Sequence, residues 1–150
     1  MDFYVAEQLI YGIVHLSSPR KQQVGRKLAK FMAFIPGPVG TDGGVDGAIT
    51  NQNNELVAHF QSKLSSKTLS LSEGKILHSD LVRLKPQICV YVAGVGYDSG
   101  FIKLIEQHKD CDVYLLTLQD IFLETDIYKR AIGVLPKQGQ QLIDWSKFLV

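Results

Sequence analysis

Three polar side chains in the first half of the chain, Asp46, Gln61 and Lys63, have types and spacing suited to hydrolytic chemistry. Gln61 and Lys63 stand two residues apart, so on an extended strand they project from one face. Asp46 lies upstream in GTDGGVDGAIT, which crowds Gly40, Gly43, Gly44 and Gly47 around Asp42 and Asp46. If the strand carrying Asp46 pairs antiparallel with the strand carrying Gln61 and Lys63, its carboxylate comes beside their face. A carboxylate oxygen with a nearby amide or main-chain oxygen makes a hard, oxygen-only half-shell. That set suits Mg²⁺, which keeps several of its waters. A lysine beside it can orient or deprotonate a water and stabilise developing charge. These are the parts of metal-assisted phosphodiester hydrolysis. Glycines 43, 44 and 47 would let a nucleic-acid backbone approach closely.

Hydrophobic periodicity supplies the elements that must hold these residues. Phe3, Ala6, Leu9, Ile10, Ile13 and Val14 recur at helical spacing and predict a helix over residues 3–16. Ser18 and Pro19 read as an N-cap and a first helical position. Val24, Leu28, Phe31, Met32 and Ile35 then form one stripe of a second helix, ending before Pro36-Gly37-Pro38. Residues 45–50 read as a short strand, 51–54 as a turn, and the alternation from Glu55 onward as the second strand of a hairpin. A helix is expected over 73–84, a buried strand over 87–93 and a helix over 98–109. A second buried strand over 112–118 and a short helix from about Gln119 follow. The order α-α-β-β-α-β-α-β-α predicts one α/β domain over residues 1–150, with a mixed central β-sheet flanked by helices on both faces. Ile143, Trp145 and Phe148 suggest that the tail docks back.

Composition agrees with a soluble globular protein: 150 residues, 45% hydrophobic and 21% charged. No apolar run approaches the roughly 18 residues that span a bilayer. Asp2 and Glu7 stand where a signal peptide needs a basic start. Cys89 and Cys111 lack metal or redox spacing, and buried reduced thiols suit the cytoplasm. The net charge of +1 is unevenly spread. Arg20, Lys21, Arg26, Lys27 and Lys30 fall in a stretch without acids, whereas Glu106, Asp110, Asp112, Asp120, Glu124 and Asp126 crowd a later one. Either the basic face meets a polyanion or both are solvated helix surfaces.

The DGGVDG segment, a turn and then Gln61-x-Lys63 on the next strand resemble the PD-(D/E)XK nuclease superfamily. The likeness is closest to its Mrr-like restriction endonuclease branch, where glutamine replaces the motif acid. It covers roughly residues 20–123. The resemblance implies a restriction endonuclease-like fold and a Mg²⁺-dependent DNA endonuclease, with Mn²⁺ able to substitute. Asp46 matches the motif aspartate, Gln61 the acid or amide, Lys63 the lysine, and Asp42 the first aspartate of the glycine-rich approach. Asp46, Gln61 and Lys63 are then catalytic, with Asp46 and Gln61 on the metal. Many members add a glutamate from the preceding helix, where this chain has Gln22 and Gln23, so Glu7 is the upstream candidate ligand. A separate DNA-reading domain has no room here, and a compact enzyme is more like homing endonucleases or Holliday-junction resolvases. The implied partners are double-stranded DNA and further copies of the chain, since cutting a duplex needs two sites. The alternative is a catalytically inactive nucleic-acid-binding subunit with the same fold.

Other features admit two readings. GVGYDSG, residues 94–100, has the placement of a dinucleotide loop, but its spacing favours a tight strand-to-helix turn, with Tyr97 reaching DNA. His59 shares the face of Gln61 and Lys63, as a site neighbour or as a packing residue. Lys67 and Lys75 either touch phosphates or are solvated.

Overall fold

The computed structural model describes residues 1–36 and 46–136. Two helices open the chain, α1 (Phe3–Val14) and α2 (Ser18–Phe31), followed by the strands β1 (Ile35–Pro36), β2 (Gly47–Thr50) and β3 (Leu56–Lys63). Helix α3 (Leu71–Leu84) leads to β4 (Ile88–Ala93), and α4 (Ser99–Glu106) to β5 (Asp112–Thr117). The short helices α5 (Leu118–Leu123) and α6 (Asp126–Val134) complete the described residues. The strands form one five-stranded mixed sheet in the order β1-β2-β3-β4-β5. The first three are antiparallel neighbours, while β3, β4 and β5 run parallel. Parallel neighbours need a crossover, and α3 and α4 supply it.

Alternation along the strands divides the core between two faces. Ala58, Phe60, Val90, Val92 and Leu116 pack with residues of α1, α2, α5 and α6. Cys89, Tyr91 and Ala93 turn the other way and pack with α3 and α4 through Leu77, Leu81, Phe101 and Ile105. Both faces of β4 are covered, which is why ICVYVA is continuously apolar rather than alternating. Cys89 and Cys111 are free and buried. Burial raises the Cys89 thiol, and burial followed by Asp112 pushes Cys111 up to about 12, so both stay protonated at neutral pH.

Several boundaries move for local reasons. Helix α1 starts at Phe3 because Asp2 caps it, its Oδ1 accepting from the Val5 N–H at 2.9 Å. The N-cap of α2 is Ser17, not Ser18, with proline still in the first turn. Ala33 takes a positive φ of 70°, which turns the chain out of α2. Ile35 therefore leaves the helical stripe and lies 69% exposed on β1. That strand pairs Ile35 with Ala48 and Pro36 with Gly47. Proline is tolerated there because β1 is an edge strand.

The last helix is two helices, separated at Glu124, whose φ is +51°. The acidic run does not form one face. Glu106 belongs to α4, on one side of the sheet, and Asp126 to α6, on the other. Asp120 is spent internally, its Oδ2 accepting from the Thr117 N–H at 2.8 Å and its Oδ1 from the Thr125 hydroxyl at 2.7 Å. Among the described residues, no helix is long and apolar enough to cross a membrane. Asp42, Gly43, Gly44, Val45, Ile143, Trp145 and Phe148 lie outside the described residues.

Candidate functional site

Asp46 sits immediately before β2, at the point where the hairpin opens. Its N–H donates to the Phe60 carbonyl at 2.8 Å, extending the pairing one step past Gly47 and Phe60. The register thus puts Asp46 across from Gln61. Its carboxylate nonetheless meets the next residue, Ser62, whose hydroxyl donates to Oδ2 at 2.6 Å. Ser62 faces α2 at Gly25. A Cβ there would lie 3.1 Å from Asp46 Oδ2 and would collide with Ser62 Oγ. A glycine in mid-helix costs about 1 kcal/mol relative to alanine. Here it gives the Asp46–Ser62 pair its space.

Gly47 has a packing role. A Cβ on it would come within 2.9 Å of Ala29 and Phe34 Cβ. The bare backbone is what lets β2 lie against α2 and the segment that follows it.

Gln61 occupies the opposite face of β3 and is only 3% exposed. Its Nε2 donates to Asp80 Oδ2 on α3 at 3.1 Å. The second oxygen of Asp80 pairs with Arg83, one helical turn on, also at 3.1 Å. With the nitrogen committed, the carbonyl oxygen Oε1 is the end of the amide left for a ligand. His59 lies on the same face, fully buried, and neither ring nitrogen has a hydrogen-bond partner among the described residues. Burial lowers its pKa to about 4; Asp80 opposes that shift and Arg83 adds to it. His59 is a neutral packing residue.

Lys63 ends β3 and is exposed. Phe60 turns its carbonyl toward β2, so by strand alternation Ser62 turns its main-chain carbonyl toward the same edge of β3. The carboxylate of Asp46 and the amide of Gln61 lie on opposite faces of β3, the first bonded to Ser62 and the second to Asp80. Among the described residues, no group of three or more His, Cys, Asp or Glu is placed to hold a metal ion. The donor set is thin but all oxygen, and Mg²⁺ is satisfied by one or two carboxylates plus water and phosphate. With Asp46 and Gln61 bonded on opposite faces of β3, the residues as placed do not make one site for that ion.

The remaining expected site residues are scattered. Glu7 is exposed on α1, a helix that packs on α5 and α2, and it does not join the hairpin mouth. On α2, Arg20, Lys27 and Lys30 are exposed, while Lys21 and Arg26 are half-buried. Lys67 and Lys75 are exposed, Lys75 on α3 across the sheet from α2. Tyr97 is engaged within the fold. Its hydroxyl donates to the Leu116 carbonyl at 2.6 Å, with the Tyr91 carbonyl at 3.1 Å, and its ring packs on Phe101. A phenol so engaged pins the loop to the ends of β4 and β5. The 94–100 loop is a turn fastened to Leu69, whose N–H donates to the Gly96 carbonyl and whose carbonyl accepts from Asp98.

Ser62, Asp80, Arg83 and Gly25 were not singled out by sequence reasoning. Two signals were present: a glycine between Val24 and Leu28 on a buried stripe, and an acid three residues after Leu77, at the border of the apolar face of α3. Tyr91 is also new. Burial, followed by Glu73, Cys89, Asp46 and Asp80, raises its hydroxyl pKa, so three carboxylates from α3 and the hairpin act on one phenol. No protein-family model matches the chain, and no curated protein matches it.

Proposed function

We propose that the chain is a Mg²⁺-dependent DNA endonuclease of the PD-(D/E)XK, restriction endonuclease-like type, acting on double-stranded DNA as an oligomer. One observation carries the reading: Asp46 is fastened by its main chain and its carboxylate to the strand that bears Gln61 and Lys63. An antiparallel hairpin followed by a helical crossover to a parallel strand supports it, because that order matches the architecture the resemblance implies. The resemblance assigns the ion to Asp46 and Gln61; Asp46 would supply the carboxylate, while Gln61 lies on the other face of β3, bonded to Asp80. When bound, Mg²⁺ supplies charge stabilisation at the phosphate and a more acidic water. Ser62 keeps one carboxylate oxygen of Asp46 in a fixed direction. Lys63, at the exposed end of β3, donates to a phosphate oxygen or orients the attacking water.

The test incubates the protein with supercoiled plasmid, linear duplex and a four-way junction, in Mg²⁺, Mn²⁺ and EDTA. Wild type should cut one of these in either metal, and Asp46→Asn should lose cleavage while keeping its fold and DNA affinity. Metal-dependent cutting retained by Asp46→Asn overturns the assignment. A wild type that binds DNA yet never cuts supports a second reading, an inactive DNA-binding subunit, which the burial of Gln61 favours. Either reading uses the exposed basic residues of α2. Replacing Arg20, Lys27 and Lys30 by alanine should flatten the salt dependence of duplex binding by up to about 3 log units per log unit. An unchanged slope makes that face merely solvated.

A further inference from the structure

The two edges of the sheet are finished differently. On one, β1 is two residues long and ends in Pro36, which has no N–H to offer. On the other, β5 runs for six residues, DVYLLT, with Asp112 its only charge and no proline, glycine or lysine. Edge strands that stay single are commonly shortened, charged or interrupted, because a bare row of main-chain donors and acceptors recruits another strand. Asp112 donates its N–H to the Gln87 carbonyl, toward β4. By strand alternation Tyr114 and Leu116 also face β4, while Val113 and Leu115 turn N–H and carbonyl outward. Among the described residues, these four outward groups have no hydrogen-bond partner. The row stops at Thr117, whose N–H is taken by Asp120 Oδ2 at 2.8 Å. The side chains agree: Val113, Tyr114 and Leu115 are only half-buried, whereas their β4 counterparts Cys89, Val90 and Tyr91 are buried.

We infer that β5 is the docking edge for a second copy of this chain, the two strands pairing antiparallel about a two-fold axis between their Tyr114 residues. In that register Val113 of each copy lies opposite Leu115 of the other. Each such pair exchanges N–H and carbonyl both ways, so every outward group is used and none is left over. Tyr114 meets its own copy at the close, non-hydrogen-bonded position, where aromatic pairs stabilise a sheet. Asp112 falls opposite Leu116, so no like charges meet. Val113 and Leu115 share the apolar layer under α3 and α4, which then continues across the axis. The contact is isologous and closes at two copies. Both outer edges of the joined sheet are then β1, the blunted one. The choice of edge rests on the sheet alone; that the pair serves to bring two sites to a duplex rests on the nuclease reading.

Sedimentation velocity of wild type across a concentration series should show a monomer giving way to a dimer. Amide exchange at Val113 and Leu115 should slow as the dimer fills. Val113→Pro removes an outward N–H without touching the ladder to β4. Each dimer then loses two hydrogen bonds, so its dissociation constant should rise about tenfold or more. Tyr114→Cys sets two thiols across the axis at a Cα separation of about 4.5 Å, within disulfide reach. Mild oxidation should therefore link the copies of that variant, and not those of wild type, whose two cysteines are buried. A wild type that stays monomeric at every concentration overturns the inference. So does a dimer that Val113→Pro leaves equally tight and Tyr114→Cys fails to link. Val113 and Leu115 amides protected in a monomer also overturn it, because another part of the chain then occupies the edge. If Val113→Pro does not fold, the Tyr114→Cys link and the wild-type exchange decide. A β5 dimer that cuts no DNA upholds the interface while the nuclease reading fails; a wild type that cuts as a monomer does the reverse.

Discussion

On the α2 side of β3, Ser62 bonds Asp46 above a glycine; on the α3 side, Gln61 bonds Asp80 inside a packed layer. Both are polar pairs at the edge of an apolar core, and they are admitted by opposite means. The α2 side removes a side chain, so a half-buried carboxylate fits at the hairpin mouth. The α3 side keeps its side chains and supplies an acceptor, already held by Arg83, for one end of a buried amide. The first arrangement is set by volume and the second by polarity. Each should therefore fail under a different kind of substitution.

The largest effect should come from filling the space. Gly25→Val places branched carbon against Ser62 and Asp46, and crowding of this kind costs about 1–3 kcal/mol. Urea unfolding should show that loss, and Mn²⁺ binding should fall with it, because Ser62 and Asp46 are driven apart. Unchanged stability and binding would mean that the α2 side is not limited by volume.

On the α3 side, His59 makes a pH test possible. Its folded pKa, about 4, lies below its unfolded value of 6.5. The unfolded chain therefore takes up the proton first as pH falls from 6.5 toward 4. Stability present above 6.5 is lost across that window, on the order of 3 kcal/mol at most. His59→Leu should remove that part of the acid sensitivity in metal-free protein and leave stability at pH 7 unchanged or higher, since an unpartnered imidazole is replaced by an apolar group. The same slope in both proteins would show that the imidazole is not the group responsible.

The smallest effect should come from Tyr97→Phe. Losing the bond to the Leu116 carbonyl should cost about 1 kcal/mol, with DNA affinity unchanged. A variant of normal stability but weakened DNA binding would return Tyr97 to the nucleic-acid surface and blur the contrast between the two sides.

The sequence by itself carried what is periodic. Leu77 and Leu81 on α3, Val24 and Leu28 on α2, and the unbroken ICVYVA of β4 each state which face is buried. Burial is a local average over a few turns or strand residues, so periodicity records it directly. The pairing of β2 with β3 was readable for the same reason, and with it the approach of Asp46 to the strand of Gln61 and Lys63.

What only the tertiary structure decided are the partners. Gln61 and Asp80 are 19 residues apart, joined across a helical crossover whose register no local pattern states. Ser62 meets the Asp46 carboxylate because α2 leaves room for the pair at Gly25. Tyr97 turns inward because the Leu116 carbonyl lies within reach of its hydroxyl. Hydrogen bonds are short and directional, so they depend on where separate elements come to rest to within a fraction of an ångström. Hydrophobic patterning tolerates far larger errors. Patterning therefore gave the elements and their buried faces, while the donors and acceptors of the site were assigned only when helices and sheet met.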